Sequence, residues 1–365
     1  MRTMIPWLVD DLLRNLQRAK PLKFKVAVMP DFFVDRFVAF PGDAHLFSRR
    51  ISEVVSHLGG NIHNVRQMES RGGNAANTAA ALARLGATVY PIIKTGKLGL
   101  HLLEFYLKPL GVNLSRVKVE GETALTTALE FTNKNERVNV MMGDLGSLPD
   151  FSPKDLDESD WRLLKVSDYT CVFNWAPLKR GTELAETVFN YVKAEGKAKT
   201  YCDTGDPSPN RKNIPGLVKN VLASKNLDIL SVNENEALQY SSQIDPKTKN
   251  MQKNVNRQDS AKECARILAR HVPARVDLHT SAFAGSFRKD EEVIVPSFDV
   301  KALRTTGAGD AWNAGNIFGD ALRLPDSCRL TLANAVAAFY VSSPSAEHPS
   351  LPKLMDFLLK HRQLR

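Results

Sequence analysis

Short strand-like runs alternate with helical stretches along most of this 365-residue chain, and that alternation restricts the fold more than any other feature. Segments 24–29 (FKVAVM), 87–93 (ATVYPII), 170–173, 200–202, 227–232 (LDILSV) and 275–279 are rich in β-branched or apolar residues and too short for helices, as strands buried on both faces are. Segments 74–85, 182–194, 260–271, 309–322, 330–341 and 351–361 carry helical spacing, and Gly86 stands where the first of them stops. Strand–helix repetition predicts an α/β three-layer sandwich, a mostly parallel central sheet with helices on both faces. Two stretches interrupt it, 35–71 and 123–140. The second (TALTTALEF, then RVNVM) reads as a hairpin. Together they are expected to form a small β-strand lid over one end of the sheet, with residues 1–365 making one domain. Segment 245–259 is polar and rich in lysine and asparagine, which predicts a mobile surface loop.

Composition narrows the class. Hydrophobic residues make up 43% and charged residues 24%, as in a soluble globular protein. No apolar run approaches the ~20 residues of a membrane helix, so no membrane partner is expected. Segment 1–20 mixes apolar residues with Arg2, Asp10, Asp11, Arg14 and Arg18, where a signal peptide needs an unbroken apolar centre. It reads as an amphipathic helix on the body of a cytoplasmic protein. Cys171, Cys202, Cys264 and Cys328 are far apart, which predicts reduced, buried thiols. The net charge of +9 suits anionic ligands. The basic residues are scattered without interleaved aromatics, so no nucleic-acid partner is expected.

Two motifs carry chemistry. In Thr305-Thr306-Gly307-Ala308-Gly309-Asp310-Ala311-Trp312-Asn313-Ala314-Gly315 a glycine-rich turn opens into a helix. Unpaired N–H groups and the helix dipole make such a terminus a seat for phosphate. A carboxylate there repels phosphate, but it is well placed to accept a proton from an attacking hydroxyl. Asp310 as a plain helix cap fits the local pattern equally well. The second motif, Arg71-Gly72-Gly73-Asn74-Ala75-Ala76-Asn77, can seat the hydroxyls of a polyol or form a capped turn. A P-loop kinase is excluded because Gly96-Lys97 lacks the required spacing, and a dinucleotide fold because no GxGxxG follows the first strand.

In order along the chain, GGNAANTAAALARLG, the Asn233-Glu234-Asn235-Glu236 element after LDILSV, and TTGAGDAWNAG resemble the signatures of the ribokinase-like (PfkB) carbohydrate and nucleoside kinases. PDFFVDR resembles the substrate strand of the sugar-kinase branch, and Ala333-Asn334-Ala335 the late helix that borders the adenine. The resemblance implies transfer of a phosphoryl group from ATP, or another nucleotide donor, to a hydroxyl of a small sugar or nucleoside. Asp310 would be the base, with Gly307, Ala308 and Gly309 as the anion hole. Asn233 and Glu236 would hold Mg2+ through water. Asp31, Asp35, Gly73, Asn74 and Asn77 would grip substrate hydroxyls, with Asn174 bordering them. Thr280, Thr305 and Asn334 would face the nucleotide. Lids of this kind can pair between subunits, which implies a homodimer.

The pattern departs in three places. Arg304 stands six residues before Asp310, where the family often has an aspartate beside a monovalent cation, so activity independent of K+ is expected. In Leu278-His279-Thr280-Ser281-Ala282-Phe283-Ala284, Thr280 and Phe283 stand about where glycines are common, which leaves nucleotide preference open. Asn74 occupies a position that often carries Lys or Ser, which leaves the sugar open.

Overall fold

A computed structural model describes residues 5–19, 23–133, 136–248 and 257–362. Its large sheet contains β1 (Lys25–Met29), β4 (Thr88–Pro91), β7 (Tyr169–Phe173), β8 (Lys199–Asp203), β9 (Ile229–Val232), β10 (Arg275–His279), β11 (Phe283–Arg288) and β12 (Glu291–Pro296). The spatial order is β12-β11-β10-β9-β8-β7-β1-β4. From β4 to β10 the strands run parallel, and β11 and β12 add an antiparallel edge. A second sheet, in the order β3-β2-β5-β6, contains β2 (Phe33–Ala39), β3 (Arg66–Gly72), β5 (Ala124–Asn133) and β6 (Glu136–Asp144).

The period-two geometry of a strand sorts the buried residues into two layers. Val26, Val28, Cys171 and Phe173 enter one core with α1 (Ile5–Arg18), α3 (Asn74–Leu85), α4 (Lys97–Leu107), α10 (Ala308–Ala321), α11 (Asp326–Ser342) and α12 (Leu351–Arg362). Ala27, Met29, Val172 and Cys202 enter the other with α5 (Glu158–Val166), α6 (Gly181–Glu195), α7 (Ile214–Leu217), α8 (Glu234–Ile244) and α9 (Arg257–His271). All four cysteines are buried free thiols. Among the described residues no helix is long and apolar enough to cross a membrane.

Two local expectations change. Residues 44–56 were read as part of strand and loop material but form the helix α2 (Ala44–Ser56), which Asp43 caps through the amide of Leu46 at 2.7 Å. Phe47 of α2 packs on Phe40 and Phe131 of the second sheet. Of the loop expected at 245–259, residues 249–256 lie outside the described residues, and α9 already begins at Arg257.

Helix α10 determines where the chemistry can take place. From Asp310 to Asp320 every residue is buried, so its polar side chains need partners inside the protein. Asn313 accepts from the hydroxyls of Tyr201 and Ser231, both at 2.7 Å, and donates to Asp203 at 2.6 Å. Asn316 donates to Asp277 at 2.9 Å. Asp320 accepts from Tyr169, Lys199 and Arg275 at 2.5–2.6 Å. Spacings of three and four put these residues on one face, and a slide along the axis would break every bond together. On the opposite face, a Cβ on Gly315 would stand 2.7 Å from Cα of Ala333, so glycine is what lets α10 and α11 pack so closely. Asn313→Ala leaves three buried partners short of a bond. It is expected to lower unfolding free energy in urea by about 1–3 kcal/mol; no change would show that this face does not hold the helix.

Candidate active site

Asp31, Asn174, Asp203, Asn233 and Thr280 lie at or just beyond the carboxyl ends of β1, β7, β8, β9 and β10. That edge of a parallel sheet is where open α/β folds bind ligands, because loops and helix N-termini converge there.

The GGN turn is held by close approach. Gly73 has φ 94°, and a Cβ on it would stand 2.8 Å from Cα of Phe32. A Cβ on Gly72 would meet the Asp35 carboxylate at 2.3 Å. The N-terminus of α3 has no cap of its own. Asp31 supplies one from the end of β1, accepting from the amides of Asn74 (2.7 Å) and Ala75 (2.9 Å). It also accepts from the side chain of Asn174 at 2.9 Å. Asn174 has φ 49°, a left-handed conformation that is costly for a residue other than glycine and concentrates at functional sites. Asp31 is fully buried and thus positions Asn74 and Asn174, while Asp35 stays partly exposed. Burial raises the Asp35 carboxyl to about 6, with the field of Asp31 adding and a bond from Thr126 opposing.

At the start of α10, Gly307 has φ 82°, and a Cβ there would stand 2.6 Å from the Tyr340 hydroxyl. A Cβ on Gly309 would stand 3.3 Å from the His279 ring, which stacks on Trp312 with centroids 4.9 Å apart. The glycines thus let Tyr340 and His279 pack against the turn, and the first amides of α10, which have no partner within the helix, are the donors it offers to an anion. Asp310 is 6% exposed and accepts from Nδ2 of Asn77 at 2.9 Å, so α3 and α10 meet at this carboxylate. Burial pushes its carboxyl well above the usual range, Asp203 and Asp31 add to the shift, and Asn77 and Arg71 oppose it. Raised proton affinity makes the ionised carboxylate a stronger proton acceptor, and the Asn77 donor favours that ionised form.

Arg304 has a defined place. Its guanidinium donates to the main-chain carbonyls of Ser343, Pro344 (3.0 Å) and Tyr340 (3.4 Å), where α11 ends. A cation is favourable there because the last carbonyls of a helix lack amide partners. The sequence contains Arg304, but its carbonyl partners lie 36 to 40 residues away and appear only in the fold.

On the other side of α10, Asn233 and Glu236 form a reciprocal capping box at the start of α8. Both Glu236 oxygens accept from Asn233, at 2.7 and 2.9 Å. Burial raises the Glu236 carboxyl well above its usual range, and the fields of Asp203, Asp206 and Glu234 add to this. Thr305 is exposed on the glycine turn. Thr280 and Asn334, expected to face the nucleotide, both bond within the fold. The Thr280 hydroxyl donates to the Phe283 carbonyl at 2.8 Å and accepts from two amides of its turn. Asn334 accepts from Trp312 at 2.9 Å and donates to the Pro296 carbonyl at 3.0 Å. Arg71, Tyr340 and His279 border the site and received no role from the sequence.

Comparison with known proteins supplies the family. The profile described as pfkB family carbohydrate kinase matches residues 46–354. A 5-dehydro-2-deoxygluconokinase of Geobacillus kaustophilus is 24% identical over 312 residues, which is 80% of this chain and 85% of that protein. The adenosine kinase of Sinorhizobium meliloti superposes with a TM-score of 0.69 at 20% identity, covering 93% of this chain and 99% of that one. The ribokinase of Arabidopsis thaliana, solved with ribose and ATP, gives 0.67 at 16% identity, covering 94% and 99%. The two structures share the fold, and with the profile match over most of its length the chain belongs to the pfkB family of carbohydrate kinases.

Proposed function

We propose that the protein transfers the terminal phosphoryl group of ATP to a hydroxyl of a small sugar or sugar acid, with Asp310 as the general base. The observation that carries this reading is the bond between Asp310 and Asn77 at the N-terminus of α10, which sets a carboxylate beside a helix start able to receive an anion. The curated relative, a 5-dehydro-2-deoxygluconokinase, favours a sugar acid among the acceptors.

Asp35, Asn74, Asn77 and Asn174, with the Gly73 backbone, hold the acceptor's hydroxyls. Carboxylates accept paired hydroxyls well, and the Asn74 side chain makes no hydrogen bond to the described residues. Asp310 takes the hydroxyl proton as the oxygen attacks, and the Gly309 amide receives the charge of the phosphoryl group, joined by the Ala308 amide once its 3.2 Å bond to the Thr305 carbonyl is exchanged for the anion. The second sheet, reached through the β1–β2 turn, serves as the lid that excludes water. Residues Asp203, Asp206, Glu234 and Glu236 crowd negative charge together, which fits a divalent cation. Among the described residues no three His, Cys, Asp or Glu side chains converge on a metal, and Glu236 is already bonded to Asn233. Asn233 and Glu236 would therefore hold Mg2+ through water, and the ion would offset phosphate charge.

A coupled nucleotide-turnover assay over sugars, sugar acids, sugar phosphates and nucleosides tests the reading. Wild type is expected to act on one class, and Asp310→Asn to lose at least ~100-fold in kcat. Tight binding without turnover in both proteins would point to a non-catalytic binder. The Arg304 guanidinium also supplies a fixed charge beside the turn. Rates in KCl and choline chloride at equal ionic strength are expected to agree within about twofold, and strong activation by K+ would refute this.

The second sheet supports pairing between two copies. Along its edge strand Val138, Val140 and Met142 are 43%, 49% and 52% exposed, an apolar row open to a further partner. Light scattering is expected to show a dimer that Val140→Lys weakens; a monomer at all concentrations would end that proposal.

A further inference from the structure

Arg71 is the second-last residue of β3, directly before the glycine pair that leads into α3. Its Nε donates to Oδ1 of Asn77 at 3.0 Å, and Asn77 in turn donates to Asp310. Beyond that bond the guanidinium is unmatched. Among the described residues no carboxylate lies within ion-pair distance of it, and its two terminal amino groups make no hydrogen bond and are not sealed from solvent.

Other arginines drawn into the fold are matched there. Arg275 pairs with Asp277 and Asp320, and Arg329 pairs with Asp277 and Asp326. Arg304 is taken up by three carbonyls. A guanidinium drawn out of water without a counter-ion is unfavourable for the fold. Burial accordingly lowers the proton affinity of Arg71, and Tyr340, Asp310 and Tyr106 oppose the shift. Tyr340 is also the residue whose hydroxyl lies against Gly307. The charge is therefore close enough to act on Asp310 and on Tyr340, and Asn77 links it to the Asp310 carboxylate. With Nε engaged by Asn77, the amino edge of the planar fork remains available for the two parallel bonds that an oxyanion accepts.

We propose that Arg71 is an oxyanion-binding residue of this cleft, its guanidinium taking an anionic oxygen brought in by the ligands. Two sources share that chemistry: a carboxylate or phosphate on an acidic acceptor, and the phosphoryl group in transfer. The proposal rests on the reading of Asp310 as the centre of phosphoryl transfer.

The test compares wild type, Arg71→Met and Arg71→Lys with fructose, fructose 6-phosphate and 5-dehydro-2-deoxygluconate as acceptors, each followed from pH 6 to 9. Removing a charge-assisted contact is expected to cost roughly 10- to 100-fold in kcat/KM, with partial recovery in Arg71→Lys. A rise in KM confined to the acidic acceptors assigns the oxyanion to the acceptor. A fall in kcat with every acceptor, fructose included, assigns it to the phosphoryl group. Unchanged kinetics in Arg71→Met overturn the proposal. A loss that disappears at higher pH also overturns it, because Arg71 would then act only by tuning Asp310. Thermal melts of each variant separate these results from misfolding. Should wild type turn over none of the acceptors, the kinase reading fails by itself. Calorimetric titration of wild type and Arg71→Met with fructose 6-phosphate then decides the role of Arg71, and equal affinity would exclude it.

Discussion

The hydrogen bonds that Asn313, Asn316 and Asp320 make to the sheet hold α10 at one axial position, and the site is built outward from there. A helix packed only through alanine and glycine can slide with little penalty, because apolar contact is non-directional. Buried polar groups cannot slide, since each lost bond leaves a desolvated donor or acceptor. The first turn of α10 is thereby fixed against the ends of the strands. Its carboxylate meets Asn77 of α3, a helix whose own start is capped by Asp31 from the end of β1. Two helix N-termini and one proton acceptor converge without any of them depending on a flexible loop.

Electrostatic balance in this region differs from that of the body. Beside the sheet, the acids Asp277, Asp320 and Asp326 are matched by Arg275, Arg329 and Lys199 in one network of ion pairs. At the strand ends, Asp310, Asp35 and Glu236 have proton affinities raised by burial and by the charges of neighbouring carboxylates such as Asp31 and Asp203, while Arg71 lacks a counter-ion. Charge is thus left unbalanced at this end of the sheet. This is how a binding site departs from what stability alone would select.

The parallel sheet, its flanking helices and the glycine turn before Asp310 were legible because each leaves a local mark, an apolar run of strand length or a glycine at a helix start. The helix at 44–56 was missed because none of its residues is buried, so its pattern is diluted by charge. Thr280 and Asn334 were read as facing the nucleotide from their place in the chain. Their bonds to Phe283, Trp312 and Pro296 depend on neighbours that a linear reading does not supply. The polar stripe at Asn313, Asn316 and Asp320 was visible as a three-and-four spacing, but not its partners on β7, β8, β9 and β10.

The sequence by itself determined the elements, the two glycine turns and the residue able to act as a base, because backbone conformation and side-chain chemistry are local properties. Only the tertiary structure decided that Asp31 caps α3, that Arg304 closes the end of α11, and that Arg71, without a counter-ion, is linked through Asn77 to Asp310. Each of these is a contact between segments tens to hundreds of residues apart, and the charge a group carries there depends on burial and on neighbours brought together only by the fold.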